Sequence, residues 1–343
     1  MSGTLDVGID TRIRTMARII TPLLSLLLVA ICLLSLSVGS SYAPVLRGLY
    51  DWGFGHDTAA ALIIGDIRLP RTLLAMTVGA CLGLAGAALQ GLLRNPLADP
   101  SLTGASQGAA LGAATVFYFG IFPETGDAAP AIAGLIGAGA ALLLMLALAG
   151  TSGSGMVILA GLAISTLAGA ALATVLNFAP NPYAMQELVF WLLGSVSERG
   201  MGHLRFLLPA LLIGGILIWH QRRLLAALSL GEQVASSLGL HFGRGSRQII
   251  LGAALLVGAS VATAGSIGFV GLLVPHLIRP LVNSRPDRLL IPSALAGAIL
   301  VTLADMVVRF LPPGREIKLG VLTSLLGTPL FIYLVWQERK RWH

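Results

Sequence analysis

Polar residues are sparse along this chain and punctuate long apolar runs. The runs cover roughly 19–38, 70–92, 101–120, 128–150, 156–178, 203–220, 247–266, 288–310 and 317–336, with a shorter one at 272–283. A helix needs about 20 residues to cross the apolar core of a bilayer, and most of these runs reach that length. Several connectors are only a few residues long and carry Pro or Gly, as at Asn95-Pro96, Pro123 and Gly153–Gly155. The pattern predicts an all-α polytopic membrane protein of about ten transmembrane helices. It reads as a single domain over 1–343, with its most polar internal loop at about 222–246. The first run, Ile19–Val38, follows Arg12, Arg14 and Arg18. It exceeds the roughly 7–15 apolar residues of a secretion signal, so a retained span is expected rather than cleavage after Ala43.

Composition narrows the class. Of 343 residues, 56% are hydrophobic and 11% charged, and mean hydropathy is +0.87. Soluble domains carry about 25% charge, and disorder needs low hydrophobicity. Both classes are excluded. The net charge of +7 does not mark a nucleic-acid module. Lys318 and Lys340 are the lysines, and the arginines are dispersed between apolar runs. If residue 1 is cytoplasmic, an even number of crossings returns the C-terminus there. Loops holding Arg94, Arg222, Arg223, Arg244, Arg247, Arg279, Arg285 and Arg288 then also lie inside, as the positive-inside rule favours. A multi-pass inner-membrane protein with both termini cytoplasmic is expected. Among its 42 glycines, Gly79 and Gly83 are four apart, as are Gly161, Ser165 and Gly169 with serine as the middle member. Such spacing puts small residues on one helix face and lets neighbouring backbones approach.

Candidate chemistry is thin. There is no G-x-x-x-x-G-K-[ST] phosphate loop, no H-E-x-x-H and no G-x-S-x-G. The six histidines are scattered. Cys32 and Cys81 lie inside apolar runs and read as inert thiols. No catalytic residue, metal or cofactor is expected on this chain. Ionisable residues inside spans are functional candidates. Asp305 and Arg309 are four apart and can pair along one helix face, as a structural pair or a working one. His276, after Pro275, reads first as a structural histidine and second as a substrate ligand. Glu187 precedes Phe190-Trp191, an aromatic pair suited to a membrane interface. In the 222–246 loop, Val234, Leu238 and Leu240 interleave with polar residues. Two short amphipathic helices fit this pattern, either docking in a partner's groove or simply lying at the interface.

Several runs resemble one family, the FecCD-type permeases of bacterial type II ABC importers, which handle ferric siderophores, haem and vitamin B12. They are Arg68-Leu69-Pro70-Arg71, the stretch Gly86–Pro100 reading GAALQGLLRNPLADP, and Phe190–Ser195 reading FWLLGS. Leu230-Gly231-Glu232 follows with Leu238-Gly239, then Gly265–Arg279 reading GSIGFVGLLVPHLIR, Ala304-Asp305, and Gly327–Phe331 reading GTPLF. They run from 68 to 331 in the family's order.

The resemblance implies a ten-span permease working as a dimer, a homodimer first, with the path along the two-fold axis. It implies a separate ATP-binding subunit, which carries ATP and Mg, and a periplasmic substrate-binding protein. ATPase coupling falls on Gly231, Glu232, Ala235, Leu238 and Gly239. Docking of the binding protein falls on Arg68, Arg71 and Arg309. A cytoplasmic gate falls on Asn95, Pro96 and Leu97, with a second constriction in the loop around Ser154 and Gly155. One departure stands out, since Lys318 occupies a position where relatives commonly have proline. Lysine lets the last helix extend and adds charge at the outer rim. Haem-type members often carry an arginine shortly before the F-W pair, where this chain has Met185, Gln186 and Glu187. That counts against haem, and the prevalence of siderophore transport in the family it resembles makes ferric siderophore the first expectation for substrate, with vitamin B12 next. An ion-gradient-driven transporter is the rival class, with Asp305 as its candidate coupling acid.

Overall fold

The computed structural model describes residues 3–39, 41–120, 128–150, 154–178, 182–197, 199–310 and 317–341. In chain order, α1 is Gly3–Ser37 and α2 is Val45–Gly53; the single turn α3, Ala59–Ala61, passes through a π-helical stretch, Leu62–Arg68, into α4, Leu69–Leu93. Then come α5 (Ala105–Tyr118), α6 (Ala128–Ala149), α7 (Ser154–Asn177), α8 (Pro182–Leu192) and α9 (Met201–His220). The short helices α10 (Arg222–Leu228) and α11 (Glu232–Ser237) precede α12 (Phe242–Ala264), α13 (Val270–Ile278), α14 (Pro286–Arg309) and α15 (Leu319–Arg341). Described residues hold no strand.

Each expected apolar run is helical. Among the described residues, 7 helices are long and apolar enough to cross a membrane, while Val270–Val282 and Leu319–Tyr333 are shorter apolar helices. At 14 residues, α5 is shorter still. The chain thus mixes full-length and short helices. A short helix that ends inside a bundle needs other groups to satisfy its terminus.

Helices α4 and α12 are the buried centre, and α6, α7 and α9 are largely exposed around them. The seam between α4 and α14 follows the predicted small-residue face. A Cβ on Gly79 would lie 2.2 Å from the Gly297 carbonyl oxygen, and one on Gly83 would lie 2.2 Å from that of Ser293. Gly297 reciprocates, at 2.2 Å from the Gly79 oxygen. Gly108 and Gly137 do the same for α5 and α6. Without a hydrophobic drive between helices in lipid, such close backbone packing holds a bundle together. The 161–169 face differs, because a Cβ on Gly169 would meet only the Gln107 side chain, at 3.9 Å.

Candidate functional site

The α1 C-terminus lies at one end of the bundle, expected to be the outer one. A helix end leaves carbonyls without intrahelical donors. Arg68 supplies donors here. Its Nη1 donates to the Leu36 oxygen at 2.9 Å and the Ser37 oxygen at 3.2 Å, and its Nη2 donates to the Ser41 oxygen. The π-helical stretch ends on Arg68. Gly39 makes room, since a Cβ there would sit 2.6 Å from the guanidinium. Arg309 Nη1 donates to the Ser35 oxygen at 2.8 Å. Beside it, the Ser35 and Thr72 hydroxyls share a hydrogen bond of 2.8 Å.

Asp305 is the acceptor in the middle. Arg71 donates through Nε at 2.9 Å to Oδ1 and approaches Oδ1 through Nη2 at 2.8 Å. Arg309 donates through Nε to Oδ2 at 2.9 Å. Asp305 is 1% exposed, and the side chains of Arg309 and Arg71 are 5% and 20% exposed. The expected Asp305–Arg309 pair forms, and it is one half of a two-arginine clasp. The three arginines expected for docking converge on this end. Arg68 and Arg309 are buried as helix caps, and Arg71 keeps a solvent-facing part.

A second feature is a glycine junction that sequence reading missed. It joins the FWLLGS run, the GSIG run and the start of α15. Ser195 N donates to the Ala264 oxygen at 2.7 Å, Ser266 N to Leu192 at 3.2 Å and Gly320 N to Gly194 at 3.3 Å. Gly194 has φ +76 and Gly265 φ +72. A Cβ on Gly320 would lie 2.2 Å from the Ser266 oxygen. Only glycine meets these demands together. Beside the junction lies a cavity of about 570 Å³, lined in part by Leu193, Ser266, Gly268, Ser324 and Thr328. Lys318 does not extend α15, which starts at Leu319. Its carbonyl accepts from Val321 N at 3.0 Å, and its Nζ lies 5.9 Å from the Phe190 ring centre.

At the opposite end, α4 closes on Arg94 in the left-handed region, φ 49. Asn95 Oδ1 accepts from Leu97 N at 2.9 Å, a local turn bond that shapes the Asn95-Pro96-Leu97 segment. Ser154 and Gly155 begin α7. The sequence placed them in a loop; they are the first helical turn, and Gly155 faces open space. One turn before Asn95, Gln90 is fully buried. Pro275 lacks the N–H that would bond the Gly271 carbonyl one turn earlier. Gln90 Nε2 donates there at 3.4 Å and to the Leu272 oxygen at 3.0 Å, while Arg279 Nη2 donates to Gln90 Oε1 at 2.7 Å. Nothing in the sequence flagged Gln90, because its partners lie 181–189 positions away.

The polar loop forms the two expected short helices. Gly231, φ +108, and Gly239, φ +76, bracket α11 with backbone that favours glycine. Glu232 opens α11. Ala235 is fully buried, while Leu230, Val234 and Leu238 stand exposed. The side chain of Glu187 lies outside the described residues. Met185 and Gln186 are exposed on α8. Among the described residues, no group of His, Cys, Asp or Glu could hold a metal ion.

The arrangement is that of a polytopic helical bundle with a buried charge clasp at one end and an apolar-faced helix pair at the other. The chain as a whole is similar to known proteins. The FecCD transport family matches residues 26–337. An uncharacterized ABC transporter permease protein of Bacillus subtilis, YvrB, is 37% identical over 319 residues, covering 90% of each chain. The Fe(3+)-citrate import system permease YfmE of the same organism is 36% identical, over 93% of this chain and 97% of the relative. The hemin transport system permease HmuU of Yersinia pestis is 36% identical over 93% and 96%. A solved inward-facing metal-chelate type ABC transporter superposes with a TM-score of 0.80 at 33% identity, over 93% of this chain and 99% of that one. The chain belongs to the FecCD transport family and is a permease of the ABC importer class.

Proposed function

We propose that this chain is the membrane subunit of an ATP-driven importer that moves a ferric siderophore across the inner membrane by alternating access. The platform formed by α10 and α11 supports this reading most. It offers Leu230, Val234 and Leu238 as exposed apolar side chains held by glycine-framed turns. That is the form of a helix made for a partner's groove, here a separate ATP-binding subunit. Movement of that subunit passes through Gly231–Gly239 to the bundle and reaches the Asn95-Pro96-Leu97 gate, with Ser154 and Gly155 as the second constriction.

A second permease copy completes the path, which we place along the cavity at Ser266 and Ser324. A periplasmic binding protein docks on the clasp end. Two guanidinium groups hold the Asp305 carboxylate there and Arg68 caps main-chain carbonyls beside it, so the clasp itself carries excess positive charge for an acidic partner. Arg71 makes the contact, and buried Arg68 and Arg309 supply field. Such charge sets docking rate and register more than affinity. The haem reading is weaker because Met185 and Gln186 offer no cation for a propionate. The ion-coupled reading is weaker because Asp305 spends both oxygens on arginines.

The test is uptake of labelled ferric siderophore, haem and cobalamin, side by side, into liposomes holding the chain with its ATPase and binding protein. Siderophore uptake that stops with a catalytically dead ATPase supports the proposal. Uptake of cobalamin or haem alone corrects the substrate. Uptake that survives the dead ATPase and collapses with an uncoupler overturns it.

A further inference from the structure

A groove of about 690 Å³ runs between α9, α14 and α4, away from the clasp, the junction and α11. Its walls are Leu212 and Ile216 of α9, Ile291 and Leu295 of α14, and Leu84 of α4. Gly215 forms its floor, where a Cβ would meet only the Leu84 side chain, at 3.7 Å. At the α9 C-terminal end the lining changes character. Trp219, His220, Arg222 and Arg223 stand there, and no acidic residue lines the groove among the described residues. The Arg222 guanidinium carbon lies 4.6 Å from the centre of the Trp219 ring.

We infer that this groove is a binding site for one anionic glycerophospholipid, with an acyl chain between α9 and α14 and the phosphate on Arg222 and Arg223. Three observations select that occupant. The apolar walls belong to three helices long enough to span a bilayer, so they lie at a depth that a soluble partner does not reach. The change from Leu and Ile to Trp and then Arg follows the order of a membrane's own layers, acyl core to interface to headgroup. The basic end without acids complements a net negative headgroup, whereas the ammonium of a zwitterionic lipid would face two guanidinium groups. The volume falls within that of ordinary small-molecule sites.

The site is tested on the full chain, delipidated in detergent and titrated with dioleoyl-phosphatidylglycerol or dioleoyl-phosphatidylcholine. Native mass spectrometry reads the first lipid retained. Wild type is expected to prefer the anionic lipid by roughly tenfold or more, two arginines acting near one phosphate. R222Q/R223Q loses the preference, and R222K/R223K keeps most of it. G215F fills the floor and loses the retained lipid of either kind. R244Q/R247Q, an exposed basic pair outside the groove, keeps the wild-type preference. The inference is overturned by equal retention of both lipids in wild type, or by a G215F chain that binds as wild type does. Loss of the preference in R244Q/R247Q as large as in R222Q/R223Q also overturns it, because the effect would then be general surface charge. G215F keeps all the charges, so the test stands even where R222Q/R223Q fails to insert.

Discussion

Asp305 is one buried carboxylate serving two guanidinium groups, and removing it leaves like charges facing each other in a low-dielectric end of the bundle. Breaking a buried pair by deleting one partner costs about 3–5 kcal/mol. Asp305→Asn is therefore expected to lower the thermal unfolding midpoint of the detergent-purified chain sharply; a midpoint within error of wild type would refute the clasp as a stabilising unit. Its i,i+4 partner Arg309 was readable from spacing alone. Arg71 was not, since it arrives from 234 positions away. Gln90 makes the same point at the other end. Gln90→Leu keeps the bulk but uncaps the Gly271 carbonyl and strips Arg279 of its acceptor. Leaving buried groups unpaired costs roughly 1–3 kcal/mol each. The variant is expected to unfold at lower temperature, and R279A is expected to add little on top of it, because both act on the same network.

Among the elements, the seam of α4 on α14 tolerates no side chain. Gly297→Leu would drive a Cβ to within 2.2 Å of the Gly79 oxygen. Overpacking costs about 1–3 kcal/mol, and more where only backbone can yield. Thermal unfolding should show the loss, while Gly202→Ala, facing open space on α9, should leave the midpoint unchanged. The spacing of Gly79 and Gly83 announced a close seam; which helix filled it came from the fold. The helix pair α10 and α11 was readable from glycines bracketing an amphipathic stretch. Helix α2, helix α8 and the π-helical stretch before Arg68 were not, because short helices draw their stability from neighbours rather than from local preference. Val234→Glu with Leu238→Glu places charge on the exposed face of α11. We expect the chain to purify and melt as wild type but no longer co-purify with its ATP-binding subunit. Undiminished co-purification and ATP-dependent uptake would remove α11 as the coupling element.

For the whole molecule, three stretches far apart in sequence tie α8, α12 and α15 together at the glycine junction, and a cavity opens beside it. Ser324→Trp puts bulk into that cavity without touching the clasp or α11. ATP-dependent uptake is expected to fall at least tenfold while assembly and ATP hydrolysis persist; unchanged uptake would move the path elsewhere. The sequence by itself determined the membrane class, the apolar helices, the Gly79–Gly83 seam and the polar loop with its two short helices. Those follow from solvent preference and from spacing along one helix, which are local physics. Only the tertiary structure decided that Arg68 and Arg309 cap the first span, that Gln90 replaces the donor missing at Pro275, and that three glycine-bearing runs meet. Such contacts are made to satisfy backbone groups where no water is present. Which distant side chain supplies the missing donor depends on how the helices pack, and no local pattern records that.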